Sequence, residues 1–167
     1  MNKIITAVAT LATSMAVSLP APALAAGASG PTQAVIVGPL SLTKTEDLDF
    51  GTLVRGATPG TATINANTGA RTVAGGVVAA GGTPRRAEFV GAGRVGLLSI
   101  IAIGAAPVLS NGAGGTMSTT LTLDGPAIRL LTGTGIQTFG VGGTVNVGAN
   151  QAEGDYSGTF TVTVTYL

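Results

Sequence analysis

The strongest constraint on how this chain folds is a two-residue alternation through residues 156–167, "YSGTFTVTVTYL". Successive side chains of a β-strand point to opposite faces, so the pattern predicts a strand with one apolar and one hydroxyl-bearing face. The hydroxyl face carries Ser157 and then a threonine at every second position. The apolar face comprises Tyr156, Gly158, Phe160, Val162, Val164 and Tyr166. So regular a segment is expected to be tied into a sheet rather than to fray.

Similar short segments recur along the chain, separated by turn signals such as "TKTED", "TPG", "NTG", "SNGAGG" and "LDGP". Strands are predicted at residues 34–42, 48–54, 61–66, 71–80, 87–90, 97–103, 116–123 and 136–147. A helical turn is expected only at 126–135. Short strands with turns every ten or so residues are typical of a sandwich or barrel, not of βαβ units. We therefore predict a single all-β, antiparallel sandwich domain over residues 34–167.

The first 25 residues have the pattern of a secretory signal peptide. Lys3 precedes an apolar stretch, Pro20 breaks it, and Ala23 and Ala25 have A-x-A spacing. A membrane anchor would need about 20 uninterrupted apolar residues, and Thr, Ser and Pro interrupt this stretch. The pattern predicts cleavage after Ala25, a short flexible extension over residues 26–33, and an exported protein with no integral membrane segment after processing.

Composition argues against several classes of function. The chain has no Cys and no His, and therefore lacks the side chains of zinc or copper sites and of Ser–His or Cys–His nucleophile pairs. Eight Lys and Arg oppose seven Asp and Glu, and the numbers are equal without Lys3. Nucleic acids and anionic membranes select an excess of basic residues. We expect no nucleic-acid partner, no metal or cofactor and no catalytic site. A net charge near zero favours self-association.

One glycine motif invites a different interpretation. Gly91, Gly93 and Gly96 have the G-x-G-x-x-G spacing of a dinucleotide-binding turn. Such a site needs a helix directly afterwards and an acidic residue about 20 positions on. The next residues are the strand-like "LLSIIAI", and Asp124 is too distant. The spacing favours a β-turn.

An acidic cluster, Glu46, Asp47 and Asp49, is the other candidate for chemistry. Three carboxylates in four positions are compatible with calcium or with an acid–base pair. The cluster lacks a D-x-D-x-D-G loop pattern, and Lys44 is close by. A solvated turn before the next strand is the favoured interpretation.

Three stretches carry a resemblance to a known family: "PLSLTKTEDLDFGTLV", "TGARTVAGG" and "GGTVNVGANQAEGDYSGTFTVTVTYL". They resemble the secreted bacterial family called domain of unknown function 4402, from about Val35 to Leu167. The resemblance is strongest at "DLDFG" and in the last 26 residues, and weakest over 83–115. That family is similar to spore coat protein U and, more distantly, to subunits of chaperone–usher pili.

The pilus resemblance implies an incomplete immunoglobulin-like sandwich. In such subunits the last strand flanks a groove, which a periplasmic chaperone and then a neighbouring subunit's N-terminal extension fill by β-strand addition. Their last strand has a penultimate tyrosine and a glycine fourteen residues from the end, which match Tyr166 and Gly154. The resemblance thus implies a contact strand of Gly154, Tyr156, Phe160, Val162, Val164 and Tyr166. Many such subunits carry a disulfide, which this chain without cysteine does not have.

A donor segment is implied at Ala34, Val35, Ile36 and Val37, although these residues are equally compatible with the domain's own first strand. The sequence therefore predicts a non-catalytic subunit of a surface filament or coat, exported through the periplasm of a Gram-negative bacterium. Its expected partners are further copies of itself, a periplasmic chaperone and an usher. The alternative is a stand-alone secreted adhesion or binding module, whose own N-terminal strand closes the sheet.

Overall fold

A computed structural model describes Ile36 and residues 38–167, and every helix or strand assigned in them is a β-strand. No helix in this part of the chain is long and apolar enough to cross a membrane. The predicted signal peptide (1–25) and extension (26–33) lie outside the described residues. The strands are β1 (Ser41–Glu46), β2 (Thr52–Ile64), β3 (Arg71–Gly81), β4 (Ala87–Ala92), β5 (Leu98–Ile103), β6 (Val108–Ser110), β7 (Thr116–Leu123), β8 (Ile128–Leu130), β9 (Ile136–Val147) and β10 (Val162–Tyr166).

The strands form a large and a small antiparallel sheet. The large sheet has the order β1-β4-β9-β2-β3, and β7 with β6 joins it at β9. Val145 of β9 pairs with both Ala62 of β2 and Thr119 of β7, so those two strands flank β9 on opposite edges. The small sheet has the order β10-β5-β8. β9 is therefore the central strand of the large sheet, and β5 that of the small one.

The core lies between the inner faces of the sheets. Phe89 and Phe139 stack at 5.4 Å between ring centroids, and buried Ile101 of the small sheet belongs to the same cluster. A second cluster joins Ala62, Val77, Val145 and Val147 within the large sheet. Alternating apolar residues thus form the core, as the sequence pattern predicts. The all-β antiparallel sandwich is confirmed.

Glycines let β9 run close to both of its neighbours. A side chain at Gly142 would collide with the Ile64 carbonyl, and one at Gly143 with the Thr120 carbonyl. Glycine inside a strand is favoured where another backbone approaches this closely. The glycine-rich middle of "IQTFGVGGTVNV" is therefore strand, as predicted.

Two predictions about the N-terminal half are wrong. The predicted strand 34–42 overlaps β1 only at its last two residues, and the "TKTED" turn is largely β1 itself, because an exposed edge strand tolerates alternating polar residues. Residues 52–54 of the predicted strand 48–54 and residues 61–64 of the predicted strand 61–66 belong to one long strand, β2, and "TPG" lies inside it. The register with β3 shifts between Arg55 and Gly60. The "TPG" residues are therefore accommodated in a β-bulge within the strand instead of forming a turn.

Two predictions about the C-terminal half also need correction, and one strand there was not predicted. Residues 126–135 contain strand β8 and no helical turn. The predicted terminal strand 156–167 is shorter, since β10 covers Val162–Tyr166, and Ser157 makes only an isolated bridge to Ser110. The short strand β6 was not predicted at all.

A partly buried ionic network ties β8 to β9. The Asp124 carboxylate accepts hydrogen bonds from Arg129 Nη2 at 2.7 Å and from the Gly140 amide at 2.7 Å. The Arg129 guanidinium also lies over the Phe139 ring, 5.6 Å from its centroid. Asp124 is thus a hydrogen-bond acceptor for one cationic side chain on the small sheet and for one backbone amide on the large sheet.

We expect Asp124→Ala to destabilise the domain by about 2 kcal/mol, because the partly buried Arg129 guanidinium and the Gly140 amide both lose a hydrogen-bond acceptor. Urea unfolding measures the change. Asp155→Ala, at an exposed carboxylate, is the control and should stay within about 0.5 kcal/mol of wild type. Equal stability of the two variants would contradict the structural role of Asp124.

Candidate functional site

β10 uses one of its two edges among the described strands. It pairs with β5 alone, and the Gly104 amide bonds the Thr161 carbonyl at 2.8 Å. Hydrogen-bonding backbone groups alternate between the two edges of a strand. Thr163 and Thr165 therefore bond β5. The residues whose N–H and C=O groups face the other edge are Val162, Val164 and Tyr166.

The side chains of the same strand cover the core. Val162 and Val164 pack on the cluster around Phe139, as does Phe160 just before the strand. The Phe160 ring meets Phe89 edge-on, with centroids 6.4 Å apart. β10 therefore combines a buried apolar face with a backbone edge that the described residues leave unpaired.

A cavity of about 750 Å³ opens beside the residues that lead into β10. One wall is residues 47–53 and the other is residues 153–160. Its floor consists of apolar side chains of the large sheet, including Phe89, Leu121 and Val145. Phe160 stands at the end of the second wall, where β10 begins. We call the cavity, together with the edge of β10 that the described residues leave unpaired, the edge groove.

The first wall is held by one arginine. Arg71 Nη1 donates to the carbonyls of Phe50 at 2.8 Å, Gly81 at 3.0 Å and Thr52 at 3.2 Å. Between the two wall residues, Gly51 has φ +67° and approaches both Arg71 and the Gly81 carbonyl. A Cβ there would collide with them, which explains the glycine of "DFGT".

Tyr166 fixes the far end of the groove. Its hydroxyl accepts a hydrogen bond from the Arg94 amide at 2.7 Å and lies 3.5 Å from the Gly38 carbonyl. A Cβ on Gly93 would come within 2.7 Å of the same hydroxyl. The tyrosine thus links the end of β10 to the loop after β4 and to the segment that leads into β1.

The structure separates the other predicted contact residues from this strand. The Tyr156 hydroxyl donates to the Ala152 carbonyl at 2.8 Å and accepts from Gln151 Nε2 at 2.8 Å, so it organises the loop of the second wall. Gly154 lies in the same loop with φ +138°, beside Asn111. Both line the cavity, but neither belongs to β10. Of the predicted donor residues, Ala34, Val35 and Val37 lie outside the described residues, and Ile36 is 93% exposed.

The residues of the two motifs considered as chemical sites lie in a turn or make ion pairs and hydrogen bonds within the domain. Gly96, with φ +85°, lies in the turn from β4 to β5, so a strand follows where a dinucleotide site needs a helix. Glu46 pairs with Arg85 at 3.3 Å, and the Asp49 carboxylate accepts from the Gly51 amide at 2.7 Å. The hydrogen bond from Lys44 and its charge hold the pKa of Asp47 below its ordinary value. Among the described residues, no cluster of acidic side chains could hold a metal ion.

Sequence reasoning missed the first wall of the groove. Leu48, Phe50 and Leu53 were assigned to a strand, but no contact role was given to them. Leu48 and Phe50 alternate with the acidic residues, which is the pattern of one apolar face, and this was the available signal. Met117, which also lines the cavity, carried the same signal, since it lies on the apolar face of the alternating strand 116–123, whereas Leu109 lies in a region with no comparable pattern.

One known protein family matches most of this chain. The family model described as "Domain of unknown function (DUF4402)" matches residues 40–166, which include β1 to β10. The chain belongs to this family. No curated protein and no solved structure matches the chain. The family match therefore covers both walls of the edge groove without naming an activity for it.

Phe160→Ala should reduce the free energy of unfolding by about 3 kcal/mol, because a large aromatic leaves the core. Domains of this kind have only about 5–15 kcal/mol in total. Thr163→Ala, on the exposed face of the neighbouring strand, should change it by less than about 0.5 kcal/mol. Chemical denaturation separates the two cases, and a Phe160→Ala variant as stable as Thr163→Ala would show that the side chain is not part of the core.

Proposed function

We infer that this protein is an exported, non-catalytic structural subunit of a cell-surface filament or coat, whose immunoglobulin-like sandwich is completed by a strand from another molecule. The observation that carries the inference is the edge of β10 that the described residues leave unpaired, close to a groove with an apolar floor. Backbone N–H and C=O groups in a protein interior are nearly always paired. An edge strand that is open beside such a groove is a template for one more strand.

The apolar floor of the cavity supports an extended segment as the occupant. Successive side chains of a strand alternate, so an added strand would direct every second residue onto the floor formed by Phe89, Leu121 and Val145. Its backbone would meet the outward N–H and C=O groups of Val162 and Val164. This combination of main-chain pairing and side-chain pockets is the logic of β-strand addition.

Residues 34–37, "AVIV", are the proposed donor segment in a neighbouring subunit. They are uncharged and mostly β-branched, which suits a strand in an apolar groove. Ile36 is 93% exposed, so its side chain makes little contact with its own domain. Before assembly, a periplasmic chaperone would occupy the groove, and an usher would deliver the subunit to the surface.

The test is the single change Ile36→Asp in the exported chain. A carboxylate directed onto the apolar floor of the groove would be removed from water without a partner there, which is strongly unfavourable. We expect the yield of assembled material to fall about tenfold or more, a difference that needs only about 1.4 kcal/mol per subunit contact. The melting temperature of the isolated domain should not change, because Ile36 is exposed.

Ser29→Asp is the matched control, since it adds the same charge upstream of the proposed donor segment. It should assemble like wild type. If Ile36→Asp also assembles like wild type, residues 34–37 are not the donor. If the wild-type chain stays monomeric at every concentration, the subunit proposal is wrong and a stand-alone binding module with a self-closed sheet replaces it.

A further inference from the structure

The turn between β6 and β7 contains Asn111, and the next residue is Gly112, which makes the only Asn-Gly pair in the sequence. The Asn111 side chain is half-buried. Its Nδ2 donates to the Glu153 carbonyl at 3.3 Å and to the Tyr156 hydroxyl at 3.4 Å. The side chain therefore ties this turn to the second wall of the edge groove.

The amide oxygen of Asn111 is held over the turn that follows it. Oδ1 accepts hydrogen bonds from the Ala113 amide at 3.0 Å and from the Gly115 amide at 2.8 Å. These bonds fold the side chain back along its own backbone, toward the nitrogen of Gly112. Gly112 has φ +71° and no side chain to hinder an approach, and Ser110 Oγ accepts its N–H at 3.1 Å.

We propose that Asn111 is a site of self-modification, at which the side-chain amide becomes a carboxylate by reaction with the Gly112 nitrogen and then with water. The Gly112 nitrogen attacks Cγ of Asn111 and gives its proton to water. The Cγ–Nδ2 bond breaks, the amino group takes up a proton and leaves as ammonia, and a cyclic imide remains. Water then adds to one of the two imide carbonyls and opens the ring, which yields aspartate or isoaspartate.

The turn supplies what this reaction needs. Negative charge develops on Oδ1 of Asn111 during the attack, and two backbone amides already bond that atom, as in an oxyanion hole. The nucleophile and the carbonyl belong to neighbouring residues, so no encounter between molecules is required. Ser110 Oγ lies at the proton that the Gly112 nitrogen must lose.

Asn65 provides a comparison within the same chain. Its Oδ1 accepts hydrogen bonds from the Asn67 amide at 2.8 Å and from the Thr68 amide at 3.0 Å, so its side chain is folded back in the same way. The following residue is Ala66, which is buried and carries a methyl group. Asn65 thus shares the hydrogen bonds of Asn111 but lacks the glycine, and it should keep its amide far longer.

The reaction would loosen the second wall. The new carboxylate only accepts hydrogen bonds, so the bonds from Nδ2 to Glu153 and Tyr156 are lost. There is little space for an adjustment, because a Cβ on Gly115 would lie 2.7 Å from Nδ2 of Asn111 and one on Gly154 would lie 3.3 Å from its Cβ. An effect on strand addition rests on the proposed function, whereas the modification itself does not.

Peptide mapping by mass spectrometry of the purified chain, kept folded at mildly alkaline pH, measures the loss of the amide at Asn111 and Asn65 in one sample. We expect Asn111 to react about tenfold or more faster than Asn65. It should also react faster than the same asparagine in a synthetic peptide of residues 106–119, which lacks the folded turn. A rate no greater than that of Asn65, or no greater than that of the peptide, would overturn the proposal.

Two variants complete the test. Gly112→Ala should slow the reaction at Asn111 about tenfold while the thermal melt still shows a folded domain, and an unchanged rate would contradict attack by this nitrogen. Asn111→Asp should speed hydrogen exchange of the Ser157 amide, which bonds the Ser110 carbonyl. Asn67→Asp, which adds the same charge in an exposed turn, should not. Equal exchange in both variants would overturn the link to the second wall.

Discussion

The structure depends on where the backbone hydrogen bonds of β10 go. One edge of this strand bonds β5, and its inward side chains cover the cluster around Phe139. The other edge directs the N–H and C=O groups of Val162, Val164 and Tyr166 toward no described strand. The partly buried side-chain face fixes the strand in place, while the edge that the described residues leave unpaired is where the proposed added strand would pair.

The surrounding elements hold the groove open by interactions on its walls. Arg71 binds three carbonyls on the first wall and at its border with β3. Tyr156 fixes the loop of the second wall, and Tyr166 anchors the end of β10 to the Arg94 amide. Each wall thus has its own support, so the groove does not need an occupant to be shaped. That is the property expected of the proposed subunit before an added strand binds.

Sequence patterns predicted the interior strands well and the edges poorly. β7 and β9 match their predicted bounds residue for residue, because alternation and glycine follow directly from close packing on both sides. β1 was mistaken for a turn, since a solvent-facing edge strand needs no apolar alternation. β8 was mistaken for a helical turn, because its inward residue is Arg129 and only the tertiary partner Asp124 makes that orientation favourable. The groove was implied by family resemblance, but its Leu48–Phe50 wall required the three-dimensional arrangement.

Amide hydrogen exchange of the monomeric and the assembled protein, resolved residue by residue, tests the central claim most directly. The amides of Thr163 and Thr165 bond β5 and should be protected in both states. Those of Val162, Val164 and Tyr166 should exchange readily in the monomer and about tenfold or more slowly in the assembly, where an added strand pairs with them. Equal exchange of these three amides in both states would contradict completion of the sandwich by strand addition.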